Sequence, residues 1–456
     1  MLRNQTVTSS RPNRNRPPGP RGLPIVGVLP YVRRDSLRFY LATTRRYGDI
    51  AYLGRGFYAI NNPSYIKYIL QDHNSNYVKG GAIPNLKLLV GEGLLTSEGG
   101  FWRRQRRLAQ PAFHRQRLGL LAATMTDATV EMLERWQTFT VGSQPFDVAA
   151  EMIRLTLNIV SRTLFSTDMS GDTNTVRRAL PTSLKYVRQR SLSAFPPPTH
   201  WPLPSNLRFQ QARRALDAIV YRVIEERRCS GRDHGDLLSM LMLATDEETG
   251  EAMDDRQLRD EVMTIFLAGH ETTANALSWT FYLLSLHPDI ERRMHAEVVE
   301  VLGDRTPTVD DLSRLSYTRQ VLDESMRLYP PAWLISRSPI QDDEIGGYTI
   351  PAGETILISP YTMHRNPAYW DNPEGFDPER FTPEKQAARP RFAYFPFGGG
   401  PRICIGNNFA LMESQLILAM ISQRYRLHLV SGHPVAPQTM ITLRPRYGIL
   451  MTLHQR

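Results

Sequence analysis

Cys404 is the residue whose surroundings most constrain its chemistry. It follows Phe397-Gly398-Gly399-Gly400-Pro401-Arg402-Ile403 and precedes Ile405-Gly406. Three glycines reach backbone conformations closed to other residues, so the loop can turn amide N–H groups toward the sulfur. The residues after it read as a helix starting near Ile405, where free N–H groups and the helix dipole favour an anion. That is a good environment for a thiolate metal ligand. The only other cysteine is Cys229, far away in sequence. A lone thiolate does not suit structural zinc or an iron–sulfur cluster, which take more protein ligands. It does suit a haem iron, where the porphyrin supplies four nitrogens and the protein one axial ligand.

A second patch is Ala268-Gly269-His270-Glu271-Thr272-Thr273, an acid beside two alcohols in the middle of the apolar run 262–286. The run is long enough to cross a bilayer. Its polar centre argues instead for a buried helix with a functional break. Gly269 weakens a helix locally, and threonine hydroxyls bonded back to carbonyls one turn earlier can bend it.

The elements that must position these groups are mainly helical. The apolar spacing predicts helices over about 63–73, 100–118, 120–138, 147–165, 206–228, 234–245, 255–286, 288–302, 317–328 and 405–422. Residues 52–60 read as a hairpin, 192–204 as a proline loop, 330–361 as short strands and 425–453 as strands. Residues 366–400 read as mostly irregular. The expected fold class is mainly α with small β-sheets, one large domain over 17–456 behind a flexible basic tail, 1–16. There is no internal repeat.

Of 456 residues, 41% are hydrophobic and 22% charged, which excludes disorder, collagen and disulfide scaffolds. The net charge of +10 invites a nucleic-acid reading. It is concentrated, however, in two places. Residues 1–48 hold ten arginines and one acid, Asp35; residues 103–117 hold six arginines and no acid. The remainder is slightly acidic, no nucleic-acid-binding motif accompanies the patches, and nucleic acid is not an expected partner. Nothing reads as a signal peptide or a transmembrane anchor.

The cysteine stretch resembles the cytochrome P450 family of haem-thiolate monooxygenases, whose loop pattern Phe-Gly-x-Gly-x-Arg-x-Cys-x-Gly it matches at every fixed position. Other motifs follow in family order. The resemblance implies haem b bound through Cys404, with Phe397 and Gly406 around it. It implies propionate binding by Trp102 and Arg106, which share a helix face at a spacing of four, and by Arg337 and Arg402. Glu324-Ser325-Met326-Arg327 and Pro378-Glu379-Arg380-Phe381 match the family's buried ionic network, so Glu324, Arg327 and Arg380 are expected to fix the cysteine loop structurally. Ala268 and Gly269 would border the haem. Thr272 would hold dioxygen and its water, and Glu271 would relay protons from solvent. That acid–alcohol pair favours reductive use of O₂ over a peroxygenase or isomerase, the alternative reading.

No second cofactor-binding domain follows Cys404, so an acidic ferredoxin or flavodoxin, with its reductase, is the expected electron source. It would dock on Arg103 and Arg107. The arginine-rich tail reads as solvated, with weak attraction to an anionic membrane surface as the alternative. A cytoplasmic monomer is expected. The pocket would draw on residues 77–95, the proline loop 195–201, Phe266 and Ala268, the triplet Trp333, Leu334 and Ile335, and a tail turn near Met440 and Ile441. These are mostly apolar and imply a hydrophobic substrate. Residues 104–113, 201–206 and 331–337 resemble bacterial terpene hydroxylases, while fatty-acid hydroxylases share much of the oxygen motif.

Overall fold

The chain folds around the helix Asp255–Leu286, which is started by a capping box: Asp254 caps the Gln257 amide at 2.7 Å and the Gln257 side chain returns to the Asp254 amide. This computed structural model describes residues 15–81, 83–140, 144–166, 172–193, 195–246, 248 and 250–456. Nearly every turn of the central helix is buried. It packs on the helices Val148–Phe165, Pro204–Ser230, Ser316–Leu328 and Asn407–Arg424. Burial of most of its circumference explains why its sequence reads as an apolar run with a polar centre. No helix among the described residues is long and apolar enough to cross a membrane. Most of the expected tail, residues 1–14, lies outside the described residues.

A smaller body holds the sheets. Five strands run in the order Ile50–Gly54, Phe57–Ile60, Thr355–Ile358, Ile335–Pro339, Tyr77–Lys79. The expected hairpin is the first pair. Arg55 and Gly56 have φ of 53° and 77°, the left-handed pair that lets a two-residue turn follow the strand twist. At the other edge the register sets Lys79 directly opposite Arg337. The tail closes a three-strand sheet of Phe146–Asp147, Leu450–Gln455 and Tyr425–Leu429.

Several boundaries differ from expectation. The helix predicted over 100–118 ends at Ala109, passes through a 3₁₀ turn at Gln110–Phe113, and restarts as Arg115–Thr140. Pro111 forces that change, because it supplies no amide to continue the ladder. The helix Thr173–Ser191 is hidden in the sequence by Pro181, which lies inside it. The last long helix begins at Asn407, so Cys404 sits in the loop before it rather than on its first turn.

Candidate active site

The cysteine loop is shaped by what glycine permits. Gly398 and Gly400 have φ of 72° and 68°, which other residues rarely adopt. A Cβ on Gly400 would stand 1.9 Å from the Leu70 carbonyl oxygen. The loop closes when the Cys404 amide donates to Phe397 O at 3.0 Å. Surrounding protein pushes the Cys404 thiol up; the Gly406 amide and the charge of Arg106 pull it down, but burial wins. The residue nevertheless keeps accessible surface. A cation bound there would turn the balance toward the thiolate.

The central helix presents an accessible stripe among buried neighbours: Ile265, Ala268, Gly269 and Thr272. Spacings of three and four put them on one face. Phe266 is a correction to the pocket reading. Two residues of helix carry it to the far side, where it is buried 6.3 Å from the Phe165 ring and 5.7 Å from His270. The expected helix break is also absent. Thr272 Oγ1 donates to Ala268 O at 2.6 Å and Thr273 Oγ1 to Gly269 O at 3.2 Å, yet the helix continues. Gly269 serves close packing, since a Cβ there would stand 3.0 Å from Val160 Cγ2. Glu271 accepts from Thr442 Oγ1 at 2.8 Å, and Asn275 Nδ2 donates to that same hydroxyl at 3.2 Å.

Beside the cysteine loop lies a cluster of cations. Arg106 Nη1 donates to Ile403 O at 2.9 Å. Arg402 stacks 4.0 Å over the Trp102 ring and pairs with Glu98. Arg337 is pulled down to about 10 by burial and by Arg402. The sequence reading missed Lys79, the cross-strand neighbour of Arg337. Its Nζ donates to the carbonyls of Leu94 and Leu95. Burial, Arg402 and Arg337 pull it down to about 7. Glu98 is the carboxylate that acts on Arg402, Arg337 and Lys79. It also accepts the Lys79 amide at 2.8 Å. Glu261 faces Lys79 too, but burial pushes it up to about 7. Such an excess of buried positive charge needs anions. One thiolate ligand beside a cradle for a dicarboxylate fits haem, with its iron and two propionates.

A second arginine cluster anchors the segment 364–377. Arg327 makes paired bonds to Glu324 at 2.6 and 2.8 Å, and its other donors reach His364 O, Pro373 O and Gly375 O at 2.9, 2.6 and 2.7 Å. Arg380 Nε stands 3.3 Å from Glu324, off the line of a hydrogen bond. The segment leading to Phe397 is pinned by residues the sequence reading did not single out. Tyr394 donates to Asp323 O at 2.9 Å, and the Phe395 amide to His364 Nε2 at 3.0 Å.

Other expected pocket residues divide. Trp333 is buried against Tyr40, donates to Met440 O at 3.3 Å, and belongs with Leu334 to the core under the sheet. Trp333 is thus packed inside that core, while Leu334 stays half-buried at its edge. Ile335 does reach the cysteine loop, its Cδ1 3.7 Å from where a Gly398 Cβ would be. Ile441 packs half-buried on the main core. Phe195 and Trp201 stand on the outer surface, 82% and 50% exposed. Arg107 is not free for a partner. It is held at 2.7 Å by both Asp246 and Glu248, whereas Arg103 is exposed.

Comparison with known proteins agrees with this geometry. Residues 17–452 match the cytochrome P450 family. The chain is 38% identical over 429 residues to cyclooctatin synthase of Streptomyces melanosporofaciens, covering 93% of this chain and 92% of the relative. It is 38% identical over 417 residues to cyclooctat-9-en-7-ol 5-monooxygenase of the same organism, covering 91% and 90%. The crystal structure of the cytochrome P450DA haem domain superposes with a TM-score of 0.87 at 29% identity, covering 96% of this chain and 97% of that one. An accessible cysteine in a glycine loop, a cradle with more cations than carboxylates and an accessible stripe on the central helix thus have one common explanation: the chain belongs to the cytochrome P450 family, as a monooxygenase that carries haem b.

Proposed function

We propose that the chain oxygenates an apolar, polycyclic terpenoid, with electrons from a separate acidic ferredoxin or flavodoxin. The observation that carries the substrate class is the accessible stripe. Ile265 and Ala268, with Ile335 beside the cysteine loop, offer aliphatic surface and no charge. The relatives support the same class, one being named for oxidising cyclooctat-9-en-7-ol, an unsaturated ring alcohol by its name.

Bound haem supplies the one-electron and dioxygen chemistry. Cys404 would hold the iron, its anion favoured by the Gly406 amide and Arg106. Arg337, Arg402 and Arg106 would hold and orient the carboxylates, with Trp102 fixing the Arg402 plane. Thr272 Oγ1 sends its hydrogen to Ala268 O, which leaves its lone pairs turned to the site as acceptors. Glu271, half-buried and tied to Thr442, takes a proton from solvent at its carboxylate and carries it inward.

The test is turnover of a cyclic terpene with ferredoxin, reductase and O₂. A screen of apolar compounds for a shift in the absorbance of the haem-loaded protein finds the substrate. In Thr272→Ala, electron consumption should persist while product per electron falls several-fold and peroxide release rises. Turnover driven by peroxide alone, indifferent to Thr272, would support the peroxygenase reading instead.

A further inference from the structure

The Lys79 pocket does more than add a cation. Strand register places Lys79 opposite Arg337, an arrangement in which like charges repel across the pair. Arg402 is the third positive group. Facing them are Glu98, already shared by Arg402 and the Lys79 amide, and Glu261, which burial pushes up to about 7, so that its charge is only partial near neutrality. Arginine stays charged in such a place, whereas lysine gives up its proton. Lys79 is therefore the cation of this cradle whose charge depends on what occupies it. Its Nζ keeps the Leu94 and Leu95 carbonyls as partners in either state, so loading a proton requires no rearrangement of the chain.

We propose that Lys79 is a haem-linked proton site, taking a proton from solvent when the two propionates enter the cradle and returning it when haem leaves. The inference rests on the haem-binding role of Arg337 and Arg402. No covalent bond changes; one proton moves between water and Nζ. Two carboxylates beside Lys79 oppose the effect of the two guanidiniums and raise its affinity for that proton. The bound state then holds more protons than the free state, so haem affinity falls as pH rises above about 7, where Lys79 titrates without its anions.

The experiment starts from holoenzyme and follows haem transfer to excess apomyoglobin between pH 6 and 10. In the wild type, transfer should accelerate several-fold across the alkaline half of that range. Lys79→Arg keeps the charge, so transfer should be slow and nearly flat with pH. Lys79→Met should be fast and flat. If Lys79→Met does not retain haem, wild type against Lys79→Arg still decides, because an equally steep Lys79→Arg profile overturns the proposal. A flat wild-type profile overturns it too. Glu261→Gln should leave the slope in place; loss of the slope in that variant would assign the proton to Glu261 and overturn the assignment to Lys79. The underlying role is read separately, from Arg337→Met at pH 6. Unchanged transfer there would remove the cradle itself, whatever the pH profiles show.

Discussion

Two buried arginine clusters are built on opposite terms. At the segment 364–377, Arg327 has a fully buried carboxylate in Glu324 and three backbone carbonyls, so all of its donor groups are used. Beside the cysteine loop, Arg337 donates to the carbonyl of its neighbour Ser336, faces Lys79 across the strands, and feels the charge of Glu98 only at a distance, that carboxylate being held by Arg402. The Arg327 guanidinium is satisfied within the chain. The second cluster is complete only with a dianion. A guanidinium satisfied by its own chain holds structure, and one left in excess marks where a ligand's charge belongs.

The sharpest way to break this contrast is to remove one arginine from each side. Arg327→Met leaves Glu324, in a fully buried place, with only the poorly aligned guanidinium of Arg380 as counter-charge. Burial already favours the neutral form of that carboxyl. The cost should be about 3–5 kcal/mol, enough to lose most folded protein, and haem should not rescue it. Denaturant unfolding of the haem-loaded protein checks this. Arg337→Met should behave differently. It removes a like-charge neighbour of Lys79, so the fold should persist, with Lys79 drawn upward from about 7. Haem should instead leave roughly ten- to hundredfold faster, the worth of one charge-assisted hydrogen bond. Equal loss of unfolding stability in both variants would erase the distinction.

The same contrast explains what could be read in advance. Cys404, Arg402, Arg106, Glu324 and Arg327 stand in local patterns that a sequence can show; Arg106 meets the cysteine loop at Ile403, while Glu324 and Arg327 meet each other and the segment 364–377. Lys79 has no such pattern. Its place follows from a strand pairing with Arg337, 258 residues away, that sequence periodicity cannot supply. Thr442 is comparable, reaching Glu271 from the tail. Phe266 and Trp333 were misread because an aromatic near a motif looks like a pocket wall. Which face of the helix or strand it occupies decides the matter, and only the packing shows that. The helix Thr173–Ser191 escaped because its proline is tolerated inside it.

The smallest effect expected concerns a third pair of arginines, on the helix Gly99–Ala109. As bare sequence, Arg103 and Arg107 look equivalent, two cations one turn apart. The structure makes them unequal. Arg107 is spent on Asp246, whose side chain is buried, and on Glu248, while Arg104 reaches Glu251. Arg103 is exposed. An acidic electron donor should therefore be steered chiefly by Arg103. Arg103→Glu should slow reduction by such a donor a few-fold at low salt and leave thermal stability unchanged. The difference from wild type should vanish near 1 M salt, where screening acts over about 3 Å. Arg107→Glu should do the reverse. It sets a carboxylate against Asp246 and Glu248, so it should lower the melting temperature and loosen the segment around residue 250. Its effect on the reduction rate should be smaller than that of Arg103→Glu. If stopped-flow reduction slows more in Arg107→Glu, the donor competes for Arg107 against the protein's own carboxylates, and that ion pair belongs to the docking site rather than to the fold.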